Sequence, residues 1–288
     1  MRKQKVRQRT ERKSAVGANL QYIIFDPMNT SLQGKTAVIG GSTQGIGLAI
    51  AQELATLGAT CILLARNEQA LQQITATLPV PYQQHHTYKV ADFAQPEQVR
   101  QAITAIVNVT PVHILINNTG GPPPGPITEA TEEALLAAFS QHIIGNQILV
   151  KAVTPGMKEA GYGRIINIVS TSVRIPVRNL GVSNTIRGAT ASWAKTLSNE
   201  LASFGITVNN ILPGYTKTQR LDSLIQSNAQ RRKVAPSVIE AEMLSEIPAH
   251  RFGDASELAA VAAFLASPAA AYVNGTSIPV DGGKTGSI

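Results

Sequence analysis

Thr36-Ala37-Val38-Ile39-Gly40-Gly41-Ser42-Thr43-Gln44-Gly45-Ile46-Gly47 decides the fold. Its first four residues read as a short buried strand, and the amphipathic stretch from Gly45 to about Leu57 reads as a helix. The glycines between them let the backbone turn tightly and come close to a pyrophosphate. The helix start adds unpaired N–H groups and the positive end of a dipole. Turn chemistry alone also selects glycine, so the position between a strand and a helix is what gives this turn its meaning.

Outward from the turn, short apolar runs alternate with amphipathic stretches. The pattern predicts strands over 61–65, 87–90, 114–117, 164–169 and 207–212, and helices over 68–78, 96–109 and 183–204. A long helical region runs from Thr131 towards Ala160, and a polar stretch follows Pro213-Gly214 to about Pro248. A helix over 255–266 and a strand over 277–280 close the chain. This alternation predicts an α/β fold: one Rossmann-like doubly wound parallel sheet over 28–288, with helices on both faces.

The net charge of +7 is unevenly spread. Residues 1–27 carry seven basic and two acidic side chains, which leaves +2 for residues 28–288. The extension reads as a basic, disordered tail that lacks the apolar run of a secretory signal, and Met28 offers a second start just before the first strand. A near-neutral body argues against nucleic acid as a partner. No apolar run is long enough to span a bilayer. The single cysteine, Cys61, sits in an apolar run and reads as an inert buried thiol, so a cytoplasmic location is expected. The five histidines show no metal-ligand spacing, and no metal site is expected.

The spacing Gly41-x-x-x-Gly45-x-Gly47 resembles the Thr-Gly-x-x-x-Gly-x-Gly motif of the short-chain dehydrogenase/reductase family, with Gly40 in place of the threonine. Other motifs follow in the family's order. Asp92 resembles its adenine-side aspartate, Asn117-Asn118-Thr119-Gly120 its Asn-Asn-Ala-Gly, and Pro213-Gly214 with Thr218 its nicotinamide-side segment. Asp281-Gly282-Gly283 resembles its C-terminal motif. The resemblance covers about residues 35–283 and implies a dinucleotide site built from Gly41, Ser42, Thr43, Gly45, Ile46, Gly47, Asp92, Asn118, Thr119, Gly120, Arg187, Pro213, Gly214 and Thr218. The second strand ends Leu64-Ala65-Arg66-Asn67 with no acid until Glu68. An acid there would accept from ribose hydroxyls, whereas Arg66 can fork onto a 2′-phosphate, so NADP(H) is the expected cofactor.

The catalytic positions depart from the family. Ser170 falls on its serine, but Ser183 stands where its tyrosine would be, Arg187 where its lysine would be, and His142 where its asparagine would be. The register is free of gaps from Arg187 through Asn209, so the departures are real. A serine hydroxyl is a far weaker acid than a tuned tyrosine, and arginine offers only donors. His142 and Tyr215 have suitable proton chemistry, although either can equally be a packed residue. Arg174 and Arg178 lie on the loop before Ser183, where they can attract an anionic substrate or simply be solvated. The loop Gly120-Gly121-Pro122-Pro123-Pro124-Gly125 should form a stiff wall of the pocket.

Two readings follow. One is an NADP(H)-dependent oxidoreductase acting on a carbonyl or alcohol, such as a 3-oxoacyl thioester, with a substitute proton source. This reading fits the likeness to 3-oxoacyl-acyl-carrier-protein reductase-like family members. The other is a degenerate NADP(H)-binding sensor or partner-binding protein. The resemblance also implies a homodimer or homotetramer.

Overall fold

A computed structural model of the chain describes residues 28–287; the tail read over 1–27 lies outside them. Seven strands, β1 (Thr36–Gly40), β2 (Thr60–Ala65), β3 (Thr87–Val90), β4 (Ile114–Asn117), β5 (Gly163–Ile168), β6 (Ile206–Pro213) and β7 (Ser277–Val280), form one sheet. Their order is β3-β2-β1-β4-β5-β6-β7, and every neighbouring pair is parallel. The direction of winding reverses between β1 and β4. Open sheets of this kind take their ligands in the crevice beyond the strand ends at that point.

Helices cover both faces, which is why β1, β4 and β5 are buried along their whole length and read as near-continuous apolar runs. On one face α1 (Gly45–Thr56), α2 (Glu68–Thr77) and α9 (Ala255–Ala266) pack Leu54, Leu71 and Leu258 against Leu63, Ile116, Ile166 and Ile211. On the other, α3 (Pro96–Val107), α5 (Gly145–Ala160) and α6 (Gly181–Leu201) pack Ile103, Leu149 and Ala194 against Leu64, Leu115, Ile165 and Val208. This doubly wound parallel sheet is the architecture the sequence predicts.

Two local features depart from the expectation. The helical region before β5 is not continuous: α4 (Glu132–Phe139) passes into a π-helical turn, Ser140–Ile144, before α5 begins. Thr131 caps α4 by accepting from the Ala134 N–H. A single π turn shifts the helical repeat by only about one residue, too little for periodicity to reveal over so short a stretch. Further on, the polar stretch after Pro213-Gly214 contains two helices, α7 (Gln219–Arg232) and α8 (Pro236–Ser245). Their few apolar residues fall at helical spacing, and Leu221, Ile225, Ala229, Ile239 and Met243 close a small core with Ile247 and Phe252.

Level with the C-terminal end of β4, a row of polar side chains crosses the sheet. Asn117 donates to Asn167 at 2.8 Å, Asn167 to Asn210 at 2.9 Å, and Asn210 to Ser277 at 3.0 Å. These four residues are register partners across β4, β5, β6 and β7. Each buried amide finds its partner one strand away, which fixes the strand ends that carry the site.

Candidate active site

The glycine turn is shaped by close backbone approach. A Cβ on Gly47 would lie 2.2 Å from the Gly41 carbonyl oxygen, and Gly41 itself has a φ of +56°. The Asn118 side-chain amide donates to the carbonyls of Gly40 and Gly41, both at 3.2 Å. A Cβ on Gly40 would sit 2.9 Å from the Asn118 carbonyl oxygen. The hydroxyl that the family places at position 40 therefore has no room here, and Asn118 braces the turn from the β4 side instead.

The turn suits an anionic group. The N-cap of α1, Gln44, makes no side-chain capping bond, so the first-turn N–H groups of that helix have no side-chain partner. Ser42 is fully buried with its Oγ unpartnered among the described residues. Thr43, Gly45 and Ile46 complete the turn, half-buried. Thr218 at the start of α7 lies against it, its Cγ2 3.2 Å from where a Gly45 Cβ would be. Pro213-Gly214 is held beside the C-terminal segment: the Gly214 N–H donates to Val280 at 3.0 Å, and a Cβ on Gly214 would meet the Asp281 Cβ at 2.6 Å.

At the end of β2, Arg66 is exposed and forms no ion pair among the described residues. Its neighbour Asn67 caps α2 by accepting from the Ala70 N–H, which leaves Glu68 in the first turn of that helix. Asp92 accepts from the Ala94 N–H at 2.9 Å and orders the loop after β3.

Around the reversal point the structure brings Thr119, His142 and Arg187 together. His142 lies in the π turn, buried, with Nδ1 2.7 Å from Thr119 Oγ1 and Nε2 unpartnered among the described residues. Burial foremost, and then the Arg187 charge, push its pKa down to about 3, with partial relief from the Gly120 carbonyl. The ring is thus neutral at physiological pH. Arg187, only 8% exposed, donates from Nη1 to the Ile168 carbonyl at 2.9 Å, which ties α6 to the end of β5 beside Ser170. Burial and the nearby Arg220 bring its pKa down to about 10, so it stays cationic.

Ser170 Oγ accepts from the Ser172 N–H at 3.1 Å and starts the turn after β5. Ser183 lies four residues before Arg187 on α6, hence on the same helix face. Tyr215 is placed elsewhere. Its hydroxyl donates to Glu246 at 3.4 Å, and burial together with that carboxylate pushes its pKa up to about 12, the direction opposite to a useful acid.

Tyr215 instead lines a cavity of about 400 Å³ between the loop after Ser170 and the α7–α8 pair. Thr171, Ile175, Leu180, Leu224 and Met243 supply much of its wall, and Arg178 stands on its rim. The proline loop forms one side through Pro124. It is stitched down by backbone bonds from Gly125 to Asn179 and from Gly181 to Gly125. Sequence reasoning missed Arg220, on α7, whose Nη2 reaches the Pro122 carbonyl at 2.8 Å. The apolar spacing Leu221, Ile225, Ala229 was the available signal for the helix that carries it. Among the described residues no cluster of histidine, cysteine, aspartate or glutamate is arranged to hold a metal, and no helix is long and apolar enough to cross a membrane.

Residues 41–285 match the family model described as enoyl-(acyl carrier protein) reductase. The chain is a member of the short-chain dehydrogenase/reductase family. It is 30% identical to the NADPH-dependent reductase BacG of Bacillus subtilis over 88% of its own length and 99% of that protein's. It is 33% identical to the 3-oxoacyl-[acyl-carrier-protein] reductase FabG of Vibrio cholerae over 88% and 98% of the two chains. Among solved structures, the L-sorbose reductase of Gluconobacter frateurii, complexed with NADPH and L-sorbose, superposes with a TM-score of 0.84 at 29% identity, covering 91% of this chain and all of that one. The family is one of oxidoreductases. At the positions that the sequence resemblance implied to be catalytic, this chain carries Ser170, His142, Ser183 and Arg187.

Proposed function

We propose that this short-chain dehydrogenase/reductase is an NADP(H)-dependent oxidoreductase that interconverts a carbonyl and an alcohol. The observation that carries the cofactor choice is the end of β2. There the exposed Arg66 stands free of any ion pair among the described residues, and the first acid, Glu68, is drawn into a helix start. BacG, an NADPH-dependent reductase, and the sorbose reductase, complexed with NADPH, support the same choice. The unpartnered Ser42, the side-chain-free Gly41 and Gly47, and the α1 N-terminus fit a pyrophosphate; this reading assigns Thr43, Gly45, Ile46, Asp92, Gly120, Pro213, Gly214 and Thr218 to the same cofactor. When bound, the dinucleotide supplies or takes the hydride.

The chain's own residues do the rest. Ser170 and Ser183 orient the carbonyl oxygen. Arg187 places a fixed cation where negative charge develops on that oxygen, which is the largest contribution this site can make. The serine hydroxyls relay a proton and do not originate it: one gives its proton to the substrate oxygen as it takes another from water. His142, neutral, holds Thr119 and offers its free Nε2 to water behind the site. The 3-oxoacyl thioester named for FabG is one substrate to test. A cytoplasmic homodimer or homotetramer is part of this reading. Leu136, Phe139 and Ile144, exposed along α4 and the turn after it, support the oligomer.

Titration of NADPH and NADH into the wild type and Arg66→Ala tests the cofactor choice. Loss of a charge-assisted contact should weaken NADPH about ten- to hundredfold and leave NADH nearly unchanged. An equal loss for both would remove the phosphate role from Arg66.

A further inference from the structure

The described residues contain five ion pairs, and neither Arg187 nor Arg220 belongs to any of them. Yet the two guanidinium groups converge. A Cβ built on Gly121 would have two close neighbours: Arg220 Nη2 at 3.6 Å and Arg187 Nη2 at 3.7 Å. Gly121 has no side chain, so that point is open. Each arginine is already anchored through another contact, Arg187 to Ile168 and Arg220 to Pro122, both backbone carbonyls. Both forks are therefore held in place while their approach to Gly121 carries no counter-charge.

Two like charges brought together with Arg187 nine-tenths buried are unfavourable unless an anion joins them. We propose that Arg187 and Arg220 form an anion site that binds the carboxylate of an oxo-acid substrate against Gly121. This deepens, and rests on, the carbonyl-reductase reading. A planar guanidinium fork matches a carboxylate with two parallel hydrogen bonds, and two forks can grip both of its oxygens. Ribose hydroxyls, which the family's lysine position would serve, are neutral and cannot balance two cations. The cofactor's phosphates have their own cradle at the glycine turn, and no residue of that turn lies within 4 Å of the Gly121 point. The remainder of the substrate then extends along the proline loop into the cavity behind Pro124.

The test uses the full chain with NADPH and pairs each oxo acid with its methyl ester; a neutral 3-oxoacyl thioester serves as a further uncharged arm. For Arg220→Gln the expected result is a KM about ten- to hundredfold higher for oxo acids. The esters and the thioester should be unchanged, with partial recovery in Arg220→Lys. A calorimetric titration of malonate into the protein without cofactor gives a second readout, in which wild type binds and Arg220→Gln does not. An equal effect on acids and esters would overturn the proposal, as would weakened NADPH binding with the acid preference intact. If wild type turns over no carbonyl compound, the reductase reading fails. The malonate titration then still decides the anion site: binding lost in Arg220→Gln supports it, and binding unaffected by that change overturns it.

Discussion

At the scale of single residues, His142 makes the sharpest claim. Its folded pKa is depressed to about 3 from an ordinary value of 6.5, so between those values the unfolded chain binds a proton that the folded chain refuses. Stability from this group is complete above about pH 6.5 and is lost as pH falls towards 3, with a slope approaching about 1.4 kcal/mol per pH unit. Chemical denaturation of wild type and His142→Asn between about pH 6.5 and 5, above the ordinary carboxylate range, should show a slope in the wild type that flattens in the variant. Equally steep profiles would mean that the ring is not held neutral. The sequence alone singled out position 142. Its partner was not legible there, because Thr119 and His142 are 23 residues apart and meet only through the π turn. Tyr215 shows the converse: it has the right chemistry and stands after the right motif, but burial, and then Glu246, 31 residues away, turn it into a weaker acid.

Among the elements, the strand ends carry the site, and the amide row holds them. Removing Asn167 strips a partner from both Asn117 and Asn210, at about 1–3 kcal/mol for each group left unpaired. Asn167→Ala should therefore lower the unfolding free energy by several times the loss from Asn210→Ser, which retains a polar group. Equal, small losses would show that water replaces the row. On α6 the four-residue spacing puts positions 183 and 187 on one face. Ser183→Tyr combined with Arg187→Lys should restore the family's acid and raise kcat by about a hundredfold or more on a neutral carbonyl; an unchanged kcat would mean that proton supply is not what limits this site. Strands and the long helices could be read from periodicity because both sheet faces are covered. The pair α7 and α8 leaves a weaker signal, since their apolar residues, though at helical spacing, are few and face only their own small core.

For the molecule as a whole, the sheet reverses its winding between β1 and β4, where the glycine turn follows β1 and Thr119, just after β4, meets His142. The glycine spacing and the motifs in order are the signals behind the proposed dinucleotide half of the site. The second half depends on long-range packing, with Arg187 buried against β5 and Arg220 arriving from a helix that the sequence signals only weakly. The central claim is that this rebuilt half still supports chemistry, and that the Arg187 cation does the work. A single-turnover experiment tests it most directly: NADPH absorbance is followed after mixing enzyme with a panel of ketones, oxo acids and 3-oxoacyl thioesters, for wild type and Arg187→Met. The account predicts stoichiometric NADPH oxidation by wild type on at least one carbonyl, and a rate at least about a hundredfold lower in Arg187→Met with NADPH still bound. NADPH bound tightly by wild type but oxidised with no carbonyl, or an unaltered rate in Arg187→Met, would contradict it.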